Sequence, residues 1–127
     1  MARVAAIGLG TMGLPMFGRL VATGHDVVGC DLDSSRVDAL GAGRAETPAE
    51  AAAAADVVLL SLPSAAAVDE VALGTRGVRA GARPGTLLVD MSTSPPALAR
   101  RLGTECPGLD VLDAPVSGGP AARRTRR

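Results

Sequence analysis

Gly8-Leu9-Gly10-Thr11-Met12-Gly13 sets three glycines at a spacing that suits the gripping of a diphosphate. The apolar run Val4-Ala5-Ala6-Ile7 leads into it, and Met16, Leu20 and Val21 follow at helical spacing. The glycines therefore sit where a strand must turn into a helix within a few residues. Bare N–H groups at the positive end of such a helix attract anions. On this reading Gly8 makes the tight turn, Gly10 leaves room for phosphates, and Gly13 lets helix and strand pack closely. A second group that could do chemistry is Asp31, 18 residues beyond Gly13, at the tip of a second apolar run spanning 26–31. A carboxylate there can accept both ribose hydroxyls of an adenosine and repel a 2′-phosphate, which predicts NAD in preference to NADP. Two alternatives stay open at this point: Asp31 as the N-cap of the next helix, and Arg36 turning to hold a phosphate.

The elements that must position these groups follow from the spacing of apolar runs. Runs at 3–8, 26–31, 56–62, 86–91 and 109–113 recur with helical intervals between them. Stretches such as Val57-Val58-Leu59-Leu60 do not alternate with polar residues, which suits parallel strands covered on both faces. Thr47-Pro48-Ala49-Glu50 combines a capping box with proline at the first helical position, and alanines follow at 51–55. Ser94-Pro95-Pro96 reads as a second start of the same kind, its helix running to about Glu105 before Pro107-Gly108, and residues 64–74 read as a third helix with Val68, Val71 and Ala72 inward. Strand and helix alternating in this way predict an α/β fold, a doubly wound and mostly parallel sheet in a single domain. Ligands in such sheets bind beyond the carboxyl ends of the strands. That singles out Leu62-Pro63-Ser64, Asp90 to Ser94, and Asp113 to Gly119.

Composition narrows the function classes. The chain has 127 residues, enough for one domain with its own core. No apolar run reaches the roughly 20 residues that a membrane-spanning helix needs. A cytoplasmic, membrane-free protein is the expectation. The last eight residues hold four arginines (Arg123, Arg124, Arg126, Arg127) and no acid, leaving nine basic against thirteen acidic residues elsewhere. With an acidic body and Phe17 as its single aromatic residue, the chain is not expected to bind nucleic acid. Cys30 and Cys106 have neither CxxC spacing nor histidine neighbours and read as buried reduced thiols, so no metal site is expected. His25, after Gly24, reads as a turn residue.

With these segments in order, the chain resembles the N-terminal, Rossmann-type domain of the β-hydroxyacid dehydrogenases, the group that includes 3-hydroxyisobutyrate dehydrogenase, tartronate semialdehyde reductase and 6-phosphogluconate dehydrogenase. The matching stretches are Ile7 to Met16, Gly24-His25-Asp26-Val27, Leu62-Pro63, Asp90-Met91-Ser92-Thr93, and Asp113-Ala114-Pro115-Val116-Ser117-Gly118-Gly119, the last being the most specific. The resemblance implies that Gly8, Leu9, Gly10, Thr11, Met12 and Gly13 cradle the pyrophosphate, that Asp31 holds the adenosine ribose, that Leu62 and Pro63 line the cofactor cleft, and that Thr93 approaches the nicotinamide. It further implies that Ser117, Gly118 and Gly119 bind the carboxylate of a small hydroxyacid or semialdehyde substrate through hydroxyl and N–H donors. A flexible turn is the other reading of Ser117-Gly118-Gly119, and a helix cap that of Ser92-Thr93.

The family moves a hydride between a hydroxyl-bearing carbon and the nicotinamide, and its proton-handling group is a lysine assisted by an asparagine. This sequence contains neither residue type, so no catalytic residue is assigned. The expectation is a dinucleotide-binding domain over 1–119, cofactor-holding but inactive alone, or a stand-alone binding module. Residues 120–127 are expected to form a disordered basic tail where relatives continue into a helical domain, as a shifted frame or truncated gene would leave. The face around Leu62, Met91 and Val116 is then expected to be apolar, exposed and prone to self-association.

Overall fold

In the computed structural model, which describes residues 2–115, the five apolar runs become strands of one sheet. In chain order the elements are β1 (Arg3–Ile7), α1 (Gly13–Ala22), β2 (Asp26–Cys30), α2 (Ser34–Leu40), β3 (Gly43–Arg44), α3 (Pro48–Ala53), β4 (Val57–Leu60), α4 (Ala65–Leu73), α5 (Val78–Gly81), β5 (Leu87–Asp90), α6 (Pro96–Glu105) and β6 (Asp110–Asp113). The six strands run in the order β3-β2-β1-β4-β5-β6 and every pairing is parallel. The order reverses direction between β1 and β4, which opens a crevice beyond their carboxyl ends. The expected doubly wound α/β architecture is present. It adds the two-residue β3 and the one-turn α5, neither of which has an apolar run to announce it.

Alternation along each strand divides the core into two layers. On one face Val4, Ala6, Leu9, Val27 and Leu59 pack with Phe17 of α1 and with Val37 and Leu40 of α2. On the other, Ala5, Ile7, Val58, Leu60 and Leu88 pack with α3 and α4, and with Leu98 and Leu102 of α6. Helices on both faces leave the central strands no solvent side, hence their unbroken apolar sequences.

Local signals set the helix starts. Thr47 Oγ1 accepts the Glu50 N–H at the head of α3, but Glu50 Oε1 accepts from the Glu46 N–H, so the expected box closes one residue early. Ser64 Oγ likewise caps α4 by accepting the Ala67 N–H. The expected cap at Ser94 does not form: the N-cap of α6 is Pro95, and Ser94 Oγ is buried without a partner. A proline at 95 takes the capping position itself and displaces the serine to the residue outside it. The expected exposure of Leu62 and Met91 is also not found. Both are half-buried, Leu62 against the layer under α4 and Met91 against the layer under α1. Among the described residues, the large apolar side chains that do face solvent are Met12, Leu32 and Leu112. Val116, Ser117, Gly118, Gly119 and the 120–127 tail lie outside the described residues.

Candidate functional site

The loop from β1 to α1 is built around two close backbone approaches. Gly8 has φ +95°, and a Cβ there would stand 2.1 Å from the Ser61 carbonyl oxygen at the end of β4. A Cβ on Gly13 would stand 2.1 Å from the Gly8 carbonyl oxygen. Neither position admits a side chain, and together they press the head of α1 against the crevice between β1 and β4. Gly10 differs. Its missing Cβ would meet only Arg36 Nη1, at 3.7 Å, so the space beside it is open.

The helix start that results is uncapped. Asp33, Thr47 and Ser64 cap α2, α3 and α4 with side-chain oxygens, whereas α1 has Met12 at its N-cap and no side-chain hydrogen bond. Among the described residues, no hydrogen bond takes the N–H groups of Gly10, Thr11 or Met12. Thr11 is exposed and Met12 is 51% exposed, so these donors face solvent. Unsatisfied donors on a ten-residue helix, with the helix dipole behind them, are suited to receive an anion. Leu9 plays another part: its side chain is fully buried in the core and its N–H is taken.

The acceptor for Leu9 is Asp31. Its Oδ2 receives the Leu9 N–H at 2.6 Å and its Oδ1 the Asp33 N–H at 2.8 Å. These bonds fix the carboxylate beside the glycine loop and leave each oxygen further lone pairs for hydroxyl donors. The helix-cap alternative falls to Asp33, whose Oδ1 accepts from the Ser35 N–H. Arg36 lies at the same place, 3.6 Å from Asp33 and beside Gly10. Behind Asp31, the Cys30 thiol is buried, and burial followed by the Asp31 charge pushes its pKa up to about 11. A thiol so shifted is no nucleophile at neutral pH.

Beyond the carboxyl ends of the next two strands, Leu62 and Pro63 follow β4 and Thr93 follows β5. The two loops are tied together, because the buried Ser92 Oγ accepts the Leu62 N–H at 2.8 Å while the Ser92 N–H donates to Asp90 Oδ1 at 2.9 Å. Ser92 is a loop-to-loop tie rather than a helix cap, a role that local sequence does not signal. Pro63 and Thr93 are exposed. The structure thus places Gly8 to Gly13, Asp31, Leu62, Pro63 and Thr93 in the loops beyond the carboxyl ends of β1, β2, β4 and β5, with Leu62 Cδ2 2.9 Å from where a Gly8 Cβ would stand.

An adenine dinucleotide fits this arrangement: uncapped N–H groups for a diphosphate, an open space where Gly10 lacks a Cβ, and an oriented carboxylate for ribose hydroxyls. Comparison with known proteins points the same way. Residues 3–126 match the family model of the NAD-binding domain of 6-phosphogluconate dehydrogenase. An NAD-dependent L-serine dehydrogenase of Pseudomonas aeruginosa is 41% identical over 126 residues, covering 95% of this chain and 42% of that protein. A 3-hydroxyisobutyrate dehydrogenase of the same organism is 38% identical over 129 residues, 98% of this chain and 43% of that one. The solved structure of Mycobacterium tuberculosis 3-hydroxyisobutyrate dehydrogenase with L-serine superposes with a TM-score of 0.84 at 38% identity, covering 94% of this chain and 42% of that one. This chain spans less than half the length of each of these relatives.

Proposed function

This chain belongs to the family of NAD-binding domains represented in 6-phosphogluconate dehydrogenase, and from that premise we propose that it is the cofactor-holding part of a nicotinamide-dependent oxidoreductase for small 3-hydroxyacids. The observation that carries the reading is the uncapped head of α1 beside the oriented carboxylate of Asp31. The N–H groups of Gly10, Thr11 and Met12 grip the pyrophosphate, Gly8 and Gly13 bring the helix close enough to do so, and Leu9 holds Asp31 in place to take the adenosine ribose. Leu62, Pro63 and Thr93 border the nicotinamide. When bound, the nicotinamide supplies the hydride-accepting carbon. Ser117, Gly118 and Gly119, outside the described residues, are assigned to the substrate carboxylate on family resemblance.

Proton transfer from a substrate hydroxyl needs a positioned acid or base. The sequence has no lysine or asparagine to match the family's pair, so the chain by itself binds the dinucleotide without turning over. Isothermal titration with NAD and NADP, paired with a steady-state assay on 3-hydroxyisobutyrate and L-serine, tests both halves. NAD binding without turnover is expected. Absence of NAD binding overturns the assignment, and robust turnover overturns the claim that proton transfer lies beyond this chain. The relatives' names favour this reading over a stand-alone binding module.

A further inference from the structure

The last layer of the sheet on the α4/α6 face runs, in register across the strands, Cys30, Ile7, Leu60, Asp90 and Asp113. An apolar row therefore ends in two carboxyl groups on the same side of adjacent parallel strands. Asp90 is 1% exposed. Three buried side-chain oxygens lack a partner among the described residues; two are on these carboxyl groups, Asp90 Oδ2 and Asp113 Oδ1, and the third is Ser94 Oγ in the loop after β5. A buried ionised carboxylate oxygen without a donor is costly, and two side by side are costlier still.

Among the described residues, no basic group relieves them. The sheet neighbour Leu60 and the loops 61–64 and 91–95 are uncharged. The charged residues on the covering helices are Asp69 and Glu70 of α4 and Arg100, Arg101 and Glu105 of α6. Arg101 pairs with Asp69 and Glu105 with Arg79 of α5, while Glu70 and Arg100 lie exposed. Asp110 is at the opposite end of β6.

We propose that Asp90 and Asp113 share one proton, as a carboxylic acid hydrogen-bonded to a carboxylate, and that this pair is the positioning device for the nicotinamide-side loops. Burial, and then the Asp90 charge, push the Asp113 carboxyl above its ordinary range, as a retained proton requires. The positioning follows from the chain of hydrogen bonds. Asp90 Oδ1 holds the Ser92 N–H, Ser92 Oγ holds the Leu62 N–H, and the Asp90 carbonyl holds the Ala114 N–H at the end of β6. Ionising both carboxyls drives the pair apart at the junction of the loops that carry Leu62, Thr93 and Pro115. The shared proton stands independently of the proposed function, and its effect on cofactor rests on it.

The test is urea unfolding of the full chain from pH 4 to 9, wild type against Asp113→Asn, with NAD titrations alongside. Because the folded-state value of Asp113 lies above its unfolded value of 3.8, the protonated pair stabilises fully at low pH and the contribution is lost as pH rises through the folded value. The wild type should therefore lose stability relative to Asp113→Asn as pH rises, since the amide donates permanently to Asp90. Its NAD affinity should fall several-fold in parallel, with Asn rescuing and Ala failing to rescue. A difference that stays flat, or wild type gaining on Asp113→Asn as pH rises, overturns the shared proton, as does stability that tracks added Na⁺ or Mg²⁺ instead of pH. If Asp113→Asn does not fold, a carbon-detected NMR titration of wild-type carboxyls decides: both groups ionising in the ordinary range overturns the pair. A correct pH slope without any NAD binding keeps the pair and rejects its cofactor role, whereas NAD binding without the slope does the reverse.

Discussion

The three loop glycines differ in what they exclude, and the difference separates folding from binding. A methyl group at Gly8 would meet the Ser61 carbonyl at 2.1 Å in a backbone conformation that L-residues resist, so Gly8→Ala should cost upwards of about 3 kcal/mol of stability by urea unfolding. Gly10 has φ outside the positive range and open space beside it, so Gly10→Ala should fold within about 1 kcal/mol of wild type. The added methyl would nonetheless stand where a phosphate must approach, and NAD affinity should drop by at least about tenfold, or about 1.4 kcal/mol, in a calorimetric titration. Unchanged affinity would remove Gly10 from the site. Asp31→Ser should narrow the preference for NAD over NADP, since the serine removes the charge that repels a 2′-phosphate while Arg36 stays beside the loop. Equal affinities for the two cofactors in the wild type would defeat that assignment.

Among the elements, those written in unbroken apolar runs were legible: five strands, with bounds within a residue or two, because burial on both faces demands continuous Val, Leu, Ile and Ala. β3 was not, since two residues, Gly43 and Arg44, held by backbone pairing alone leave no side-chain pattern. Caps were legible where one residue suffices, as at Thr47, whereas the cap at Ser64 came only with the structure. They were misread where position relative to proline decides, as at Ser94, and left open where two aspartates compete, as at Asp31 and Asp33. Ties between loops, such as Ser92 to Leu62 across 30 residues, are invisible to local pattern because only the sheet brings their partners together. The capping logic is testable: Ser64→Ala should cost α4 about 1 kcal/mol. A neutral result in urea unfolding would show that burial of Val68 and Ala72 alone holds that helix.

At the scale of the whole molecule, the sheet couples binding to stability. The glycine loop hangs from β1, Asp31 from β2, Leu62 from β4 and Thr93 from β5, so a ligand bridging the crevice contacts segments that only the folded sheet assembles. An unfolded chain offers neither the aligned N–H groups nor the oriented carboxylate, and ligand then binds the native state alone. Under that condition a free cofactor concentration of about 100 times Kd adds about 2.7 kcal/mol. For a domain of this size, that should raise the unfolding midpoint by roughly 10 °C in a thermal scan. NADP at the same concentration should raise it less, because its 2′-phosphate meets Asp31. Gly10→Ala should show a normal midpoint without ligand and little shift with it, dissociating a damaged site from a damaged fold. If NAD left the wild-type midpoint unmoved at millimolar concentration, the uncapped head of α1 would be an open helix end and not a cofactor site.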